Sequence, residues 1–229
     1  MIITRTPLRI SFVGGGTDLR EYYQHETGTV LSTGIDKYVY VIVKRQLGIV
    51  EHKYRINWSQ VEFKNDLNKI EHPIVREVLR MFNIDFPIEI TTIADIPAGT
   101  GLGSSSSFCV GLIHAITTLL GIQKTKYELA SLAAEIEVDI LGRSMGKQDH
   151  FAASYGNLNI INFLSNEKVE VEPVIYEKSK LLELENNLML FYTYLTRDAS
   201  KVLESQIKET KNKFDVLTQM KDLTLPLSN

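Results

Sequence analysis

In the stretch Ile96–Phe108, IPAGTGLGSSSSF, three glycines at alternate positions run into four serines. Bare backbone and hydroxyls at one place suit an anion. Gly99, Gly101 and Gly103 let the chain curl so that successive N–H groups converge, and no Cβ keeps a ligand away. A helix starting at the serines would add its unpaired N–H groups and positive dipole end. The hydroxyls of Ser104, Ser105 and Ser106 offer donors and a ligand for a metal ion. Two familiar phosphate loops are excluded. A Walker loop ends in Gly-Lys-Ser/Thr, and the dinucleotide fingerprint needs a further glycine; Ser104 stands at both positions. A flexible loop closed by a serine cap has the same composition, so the pattern alone leaves that reading open.

Two more stretches carry charge beside glycine. Pro7–Asp18, PLRISFVGGGTD, brings Arg9 in on a strand, turns at Gly14-Gly15-Gly16 and ends on Asp18. Arginine can stabilise charge on a transferring phosphoryl group. Asp18 can accept hydrogen bonds from sugar hydroxyls, or cap a following helix. Gly146–Gly156, GKQDHFAASYG, presents Asp149 with Lys147 close by. Lys147 there can lower the Asp149 pKa or touch phosphate; a solvent-exposed lysine is the plain alternative. The five histidines show no His-x-x-x-His pattern and no paired spacing with carboxylates. No zinc site is therefore expected, and His114 reads as a packed helical residue.

These residues need a frame. Met1–Val13 reads as a strand and Asp18–His25 as a short helix. Tyr38–Lys44 is a strand with so little alternation that both faces should be buried. Glu51–Asn57 and Gln60–Lys64 read as two strands around a turn. Pro73–Phe82 has helical spacing at Val75, Val78, Leu79 and Phe82. Pro87–Ile93 is a strand leading into the glycine loop. Ser104 is the expected N-cap of a helix that ends near Gly121. Thr125–Glu128 fits a capping box, so the next helix should run to about Leu141, and Gly142–Gly146 breaks it. Gln148–Tyr155 reads as a short helix and Asn157–Phe163 as a strand. No glycine follows Gly156. Leu188–Leu195, LMLFYTYL, reads as a buried strand and Ala199–Lys211 as an amphipathic helix. A domain boundary is expected between Phe163 and Leu188.

The chain has 229 residues and a formal net charge of -3, with 44% hydrophobic and 23% charged residues. That is ordinary for a globular protein of one large domain or two modest ones. The slightly acidic balance argues against a general nucleic-acid binder, though not against a local anion site. Cys109 is the single cysteine. An internal disulfide and a cysteine metal cluster are excluded, which suits a reducing cytosol. The N-terminal residues have no secretory-leader pattern, and no apolar run has the length of a membrane helix. A cytoplasmic protein with no membrane partner is the expectation.

Pro97-Ala-Gly-Thr-Gly-Leu-Gly-Ser-Ser-Ser resembles the P-x-G-x-G-L-G-S-S-A motif of the GHMP kinases, with Ser106 where alanine is commonest. Pro7–Asp18 is similar to that family's opening motif, P-x-R-[IV]-x-x-x-G-x-x-T-D. Gly146–Gly156 resembles its G-x-x-D-Q-x-A-S-x-x-G segment, with His150 for the commoner glutamine. The resemblance implies ATP and Mg2+ as cofactors. Pro97, Gly99, Gly101, Leu102, Gly103, Ser104, Ser105 and Ser106 would wrap the ATP phosphates. Asp149 would take, or orient, the proton of the attacking hydroxyl, and Arg9 would offset developing charge. Gly15, Gly16, Thr17 and Asp18 would meet the sugar. Glu137, twelve residues before Asp149, falls on the family's metal-binding glutamate and joins Ser105 as the implied Mg2+ ligand. Ser104 and Ser105 could exchange roles, and Glu135 is the competing glutamate.

PLRISFVGGGTD, the Tyr22-Tyr23 pair and GKQDHFAASYGNLN look most like the heptose 7-phosphate kinase branch of that family. This implies phosphorylation of the anomeric C1 hydroxyl of D-glycero-D-manno-heptose 7-phosphate, a step toward nucleotide-activated heptose and surface polysaccharide. The alternatives are another C1 sugar kinase, of the fucokinase or galactokinase type, and a non-catalytic sugar or nucleotide sensor on the same fold. Thr196–Ser200, TRDAS, also resembles the branch and makes Arg197 a candidate contact for the substrate's own phosphate. The implied fold is α+β: a ribosomal protein S5 domain 2-like unit over residues 1–170, then the start of a ferredoxin-like domain over 171–229. The family's third, glycine-rich motif is not among these residues. That implies an incomplete second domain, weak or absent activity, and uncovered apolar surface that favours association, a homodimer included.

Overall fold

The computed structural model describes residues 1–194, 207, 209, 210 and 212–228. Its frame is a seven-stranded sheet built around one long strand. Strand β1 (Ile2–Val13) runs antiparallel to β2 (Gly28–Arg45), from Ile2 opposite Val43 to Val13 opposite Leu31. The C-terminal part of β2 pairs with β5 (Ile88–Ala94), and its N-terminal part pairs with β6 (Leu158–Phe163). β3 (Tyr54–Asn57) lies parallel to β5, and β4 (Val61–Lys64) closes that edge. β7 (Val169–Pro173) pairs with β6 at the other edge. Between β1 and β2 sits the one-turn helix α1 (Arg20–Tyr23).

Helices α2 (Pro73–Met81), α3 (Ser104–Leu119), α4 (Lys126–Ala134) and α5 (Gln148–Tyr155) supply the layer against the sheet. The core joins Val39, Val41, Val43, Ile88 and Ile90 of the strands to Phe108, Leu112, Ile113 and Ile116 of α3. Thr4 Oγ1 donates to the Gly111 carbonyl at 2.9 Å, fastening α3 directly to β1. This one-sided cover corrects the reading of Tyr38–Lys44. Val39, Val41 and Val43 are sealed, while Tyr38, Tyr40 and Ile42 are half-exposed. An antiparallel strand with helices on one face alternates, however apolar its residues.

The capping box forms as expected: Thr125 Oγ1 accepts the Glu128 N–H, and Glu128 accepts from the Thr125 N–H. The helix continues past Ala134 as a π-helical turn, Glu135–Ile140, where Leu141 N–H reaches back to the Ile136 carbonyl at 2.9 Å. Such widened turns re-aim side chains, and they recur at functional sites.

Beyond β7 the chain forms α6 (Lys178–Asn186), α7 (Phe214–Asp222) and α8 (Thr224–Ser228). α6 buries no residue. α7 docks on α1: the rings of Phe214 and Tyr22 stack at 4.5 Å, and the Tyr22 and Thr218 hydroxyls lie 2.7 Å apart. The expected buried strand at Leu188–Leu195 is not formed over its described residues. Leu188–Tyr194 is irregular, and Phe191 is 73% exposed. An apolar run becomes a strand only beside an edge that takes its N–H and C=O groups, and among the described residues it pairs with none. The helix expected over Ala199–Lys211 lies mostly outside the described residues. Among the described residues, no helix is long and apolar enough to cross a membrane.

Candidate active site

Gly99, Gly101 and Gly103 all adopt left-handed backbone, with φ of 79, 75 and 73°. Side chains strain such conformations, so glycine at alternate positions is what lets the loop curl. The loop is fastened at its centre. Arg9 N–H donates to the Leu102 carbonyl at 3.2 Å, and the Arg9 guanidinium donates to the Gly101 carbonyl at 2.8 Å. Pro97 is exposed, and Leu102 packs against the core. α3 then begins at Ser104. The N-cap is Gly103, not Ser104, and no side chain caps the helix. Both halves of the flexible-loop reading therefore fail: the loop is held, and serine is not the cap. Ser106 turns inward, fully buried, so it cannot wrap a nucleotide with its side chain; only its backbone can take part.

β1 and α5 bring together the two charges expected to do chemistry. Arg9 Nε donates to Asp149 Oδ1 at 2.7 Å, and Arg9 Nη2 lies 2.6 Å from the same oxygen. A Cβ on Gly103 would stand 3.3 Å from both Arg9 Cγ and Asp149 Oδ2. Loop, arginine and aspartate thus form one packed unit. Lys147 is not part of it. Its ammonium pairs with Glu167 and lies 5.4 Å from the Tyr23 ring centroid, so it is neither the partner of Asp149 nor simply exposed.

Asp18 is sealed, at 2% exposure. Its Oδ1 accepts from the Gly16 N–H at 3.1 Å and Gln148 Nε2 at 2.9 Å, and its Oδ2 accepts from the Gln148 N–H at 3.1 Å. It does not cap α1, whose N-cap is Leu19. Instead it bolts the first glycine turn to the start of α5, one residue from Asp149. The fit is tight: a Cβ on Gly146 would fall 1.9 Å from Asp18 Oδ2. Burial raises the Asp18 carboxyl to about 6, with the Asp149 charge adding to it and the Gln148 and Gly16 N–H groups opposing. Gly15 lies beside the Gln148 amide. Thr17 is buried; its hydroxyl donates to the Gly14 carbonyl at 2.8 Å and accepts the Thr29 N–H at 3.0 Å. It shapes the turn and does not present its hydroxyl to solvent.

A second cluster sits one residue into α3. Ser105 Oγ donates to Glu137 Oε1 at 2.5 Å. His150 Nε2 lies 3.0 Å from Glu137 Oε2, with both side chains fully buried. The Arg143 guanidinium donates to Ser105 Oγ at 2.6 Å and pairs with Glu137. Burial pushes the Glu137 carboxyl up, but hydrogen bonding from His150 and Ser105, with the nearby Arg143 charge, outweighs it and holds the group near about 2. Glu137 is thus ionised at neutral pH. An ionised carboxylate touching a hydroxyl is a hard oxygen pair, a donor set that would suit Mg2+. Among the described residues, no three His, Cys, Asp or Glu side chains group to hold a metal.

The π-helical turn aims Glu137 inward and leaves Glu135 exposed, so these two glutamates part company as expected. Arg143 and His150 went unread as site residues. His150 meets Glu137 although the sequence shows no paired spacing for it: the two are thirteen residues apart, a separation with no helical or strand period. His114 is exposed rather than packed. Arg197 lies outside the described residues.

Residues 68–157 match the family described as GHMP kinases N terminal domain. The D-glycero-alpha-D-manno-heptose 7-phosphate kinase of Campylobacter jejuni subsp. jejuni serotype O:2 is 34% identical over 214 residues, 89% of this chain and 62% of that protein. A galactokinase of Thermotoga maritima is 29% identical over 81% of this chain and 51% of its own length. This chain thus spans between about half and three fifths of these curated relatives. The crystal structure of a D-glycero-D-manno-heptose 1-phosphate kinase from Bacteriodes thetaiotaomicron aligns with a TM-score of 0.77 at 27% identity, over 96% of this chain and 74% of that one. With the α+β sheet, the fastened glycine loop and the Arg9–Asp149 pair, these likenesses converge: residues 68–157 match the GHMP kinases N terminal domain, and the chain shares its fold with a heptose-phosphate kinase of known structure.

Proposed function

We propose that this chain carries the nucleotide and sugar sites of an ATP-dependent sugar kinase acting on the anomeric C1 hydroxyl of a sugar phosphate. D-glycero-D-manno-heptose 7-phosphate is the foremost substrate, supported by the 34% identity to a heptose 7-phosphate kinase. The observation that carries the reading is the packing of Arg9 and Asp149 against Gly101–Gly103. It places a carboxylate, a guanidinium and a curled run of backbone within one hydrogen-bonded unit.

ATP with Mg2+ supplies the phosphoryl group and neutralises part of its charge. The backbone of Gly99–Ser106 receives the phosphates, and Ser105 with Glu137 holds the metal. Asp149 accepts the proton of the attacking hydroxyl, and Arg9 faces the charge that develops beside it. Gly15 faces the sugar side, with Gly16, Thr17 and Asp18 acting through the turn and Asp18 also through Gln148. Arg197 is the proposed contact for the substrate's own phosphate. Residues 1–170 form the catalytic unit in this reading, and 171–229 open a second domain. The reaction belongs in the cytoplasm, where ATP is at hand, and the exposed Leu188–Tyr194 run keeps a homodimer within the proposal.

The test is phosphoryl transfer from ATP and Mg2+ to heptose 7-phosphate, galactose and fucose. Transfer to the heptose phosphate, lowered about 10²–10⁴-fold in Asp149→Asn with ATP binding kept, supports the reading. Preference for galactose or fucose moves it to another C1 sugar kinase. Ligand binding without transfer, unchanged by Asp149→Asn, makes the chain a sensor.

A further inference from the structure

Arg143 holds the same two side chains that would hold the metal. Its guanidinium donates to Ser105 Oγ at 2.6 Å and pairs with Glu137, whose carboxylate has no exposed surface. The backbone presets this contact: Arg143 N–H donates to the Glu137 carbonyl at 3.0 Å. Arg143 is also the open member of the cluster, with its side chain 32% exposed. It therefore stands on the solvent side, across the approach to the Ser105 and Glu137 oxygens. A buried carboxylate without a counter-charge is strongly disfavoured. His150 meets that carboxylate from the buried side, and Arg143 is its counter-charge on the open side.

We propose that the Arg143 guanidinium is an internal counter-ion that a divalent cation displaces from Ser105 and Glu137, so that Arg143 sets the affinity of the site for metal. The two cations compete for one pair of oxygens. Metal entry moves the guanidinium away from them. The inference rests on the metal reading of Ser105 and Glu137, and it can fail while that reading stands.

The probe is Mn2+ alone, without nucleotide, followed by its paramagnetic resonance signal; it shares the oxygen preference of Mg2+. Arg143→Gln removes a charge-assisted contact with the carboxylate, and Mn2+ binding tightens about tenfold. Arg143→Lys keeps the charge and stays within about twofold of the native chain. Unchanged or weaker binding in Arg143→Gln overturns the proposal. Glu137→Gln abolishes binding if the metal reading holds. If Glu137→Gln binds like the native chain, or if no chain binds Mn2+, the metal reading and the proposal fall together. Should Arg143→Gln not fold, the native chain gives the answer. Modification of Arg143 by a dicarbonyl reagent, mapped by mass spectrometry against exposed Arg55, should rise on adding Mn2+. No rise, or a fall, overturns the displacement.

Discussion

Residues up to Pro173 and those after it use the same amino acids differently. In the first region, charges are buried and satisfied. Glu62 accepts from Trp58 Nε1 at 3.0 Å, Glu71 N–H at 2.6 Å and His72 N–H at 3.0 Å. Asp18 and Glu137 are sealed in the same way. In the second region, large apolar groups face solvent: Met189 is 81% exposed and Phe191 73%. Leu217 is the one apolar side chain buried there among the described residues. The contrast separates two sources of order. The first region closes on itself around a sheet, so polar groups can be buried with partners already in place. The second depends on a few contacts with α1 and β2, among them the Tyr22–Phe214 stack.

The largest test of this contrast is Gly146→Ala. Its Cβ would meet Asp18 Oδ2 at 1.9 Å and the Asp18 carbonyl oxygen at 2.7 Å. The first is held by the hydrogen bonds of the sealed Asp18 carboxylate and the second is backbone, so the first region should lose about 3 kcal/mol or more. The urea midpoint of Trp58 fluorescence reads it, since Trp58 is the only tryptophan and lies in that region. A change under about 1 kcal/mol would break the picture of a closed region.

Next in size is the titration of Asp18. Its carboxyl rises from 3.8 to about 6 on folding, because burial and Asp149 disfavour its charge. The folded state then holds more protons than the unfolded one between about pH 4 and 6, so this contribution is full below the unfolded pKa and lost as pH rises through the folded one. Two units correspond to about 3 kcal/mol. The native chain's stability relative to Asp18→Asn should fall by roughly that much from pH 4 to pH 6.5. A flat difference in urea titrations over this range would mean that Asp18 is not sealed.

The second region predicts smaller effects. Phe214→Ala removes the stack on Tyr22 and should cost about 1 kcal/mol by the same Trp58 signal. A loss as large as that of Gly146→Ala would show that the two regions fold as one. Smallest of all, Phe191→Glu should leave the midpoint within about 0.5 kcal/mol, because the side chain is already in water. It should also lower self-association in sedimentation. A clear destabilisation would mean that Phe191 is covered in solution.

Much of the first region was legible because its signals are local. The glycine loop, the helix after it, the Thr125 capping box and the strands flanking them came from patterns a few residues long. Arg9 and Asp149 were legible through their motifs, though their pairing was not. Lys147 looked like the partner of Asp149 because it is near in sequence. It begins a helix, however, and its side chain runs to Glu167, so Arg9 from β1 takes the place. His150 and Arg143 were missed because nothing in the linear spacing marks them. LMLFYTYL failed differently: its apolarity signals a need for burial, and burial needs a neighbour that no local pattern names.

The sequence by itself determined what backbone geometry requires: left-handed turns at Gly99, Gly101 and Gly103, and the start of α4. These follow from φ and ψ preferences over a few bonds. Only the tertiary structure decided which charges meet. Arg9 and Asp149 are 140 residues apart, and their contact depends on β1, α3 and α5 packing in one arrangement. Likewise Ser105 and Glu137, 32 residues apart, meet only because α3 packs beside the turn that follows α4. Partner choice depends on distance through space, which no short-range preference encodes.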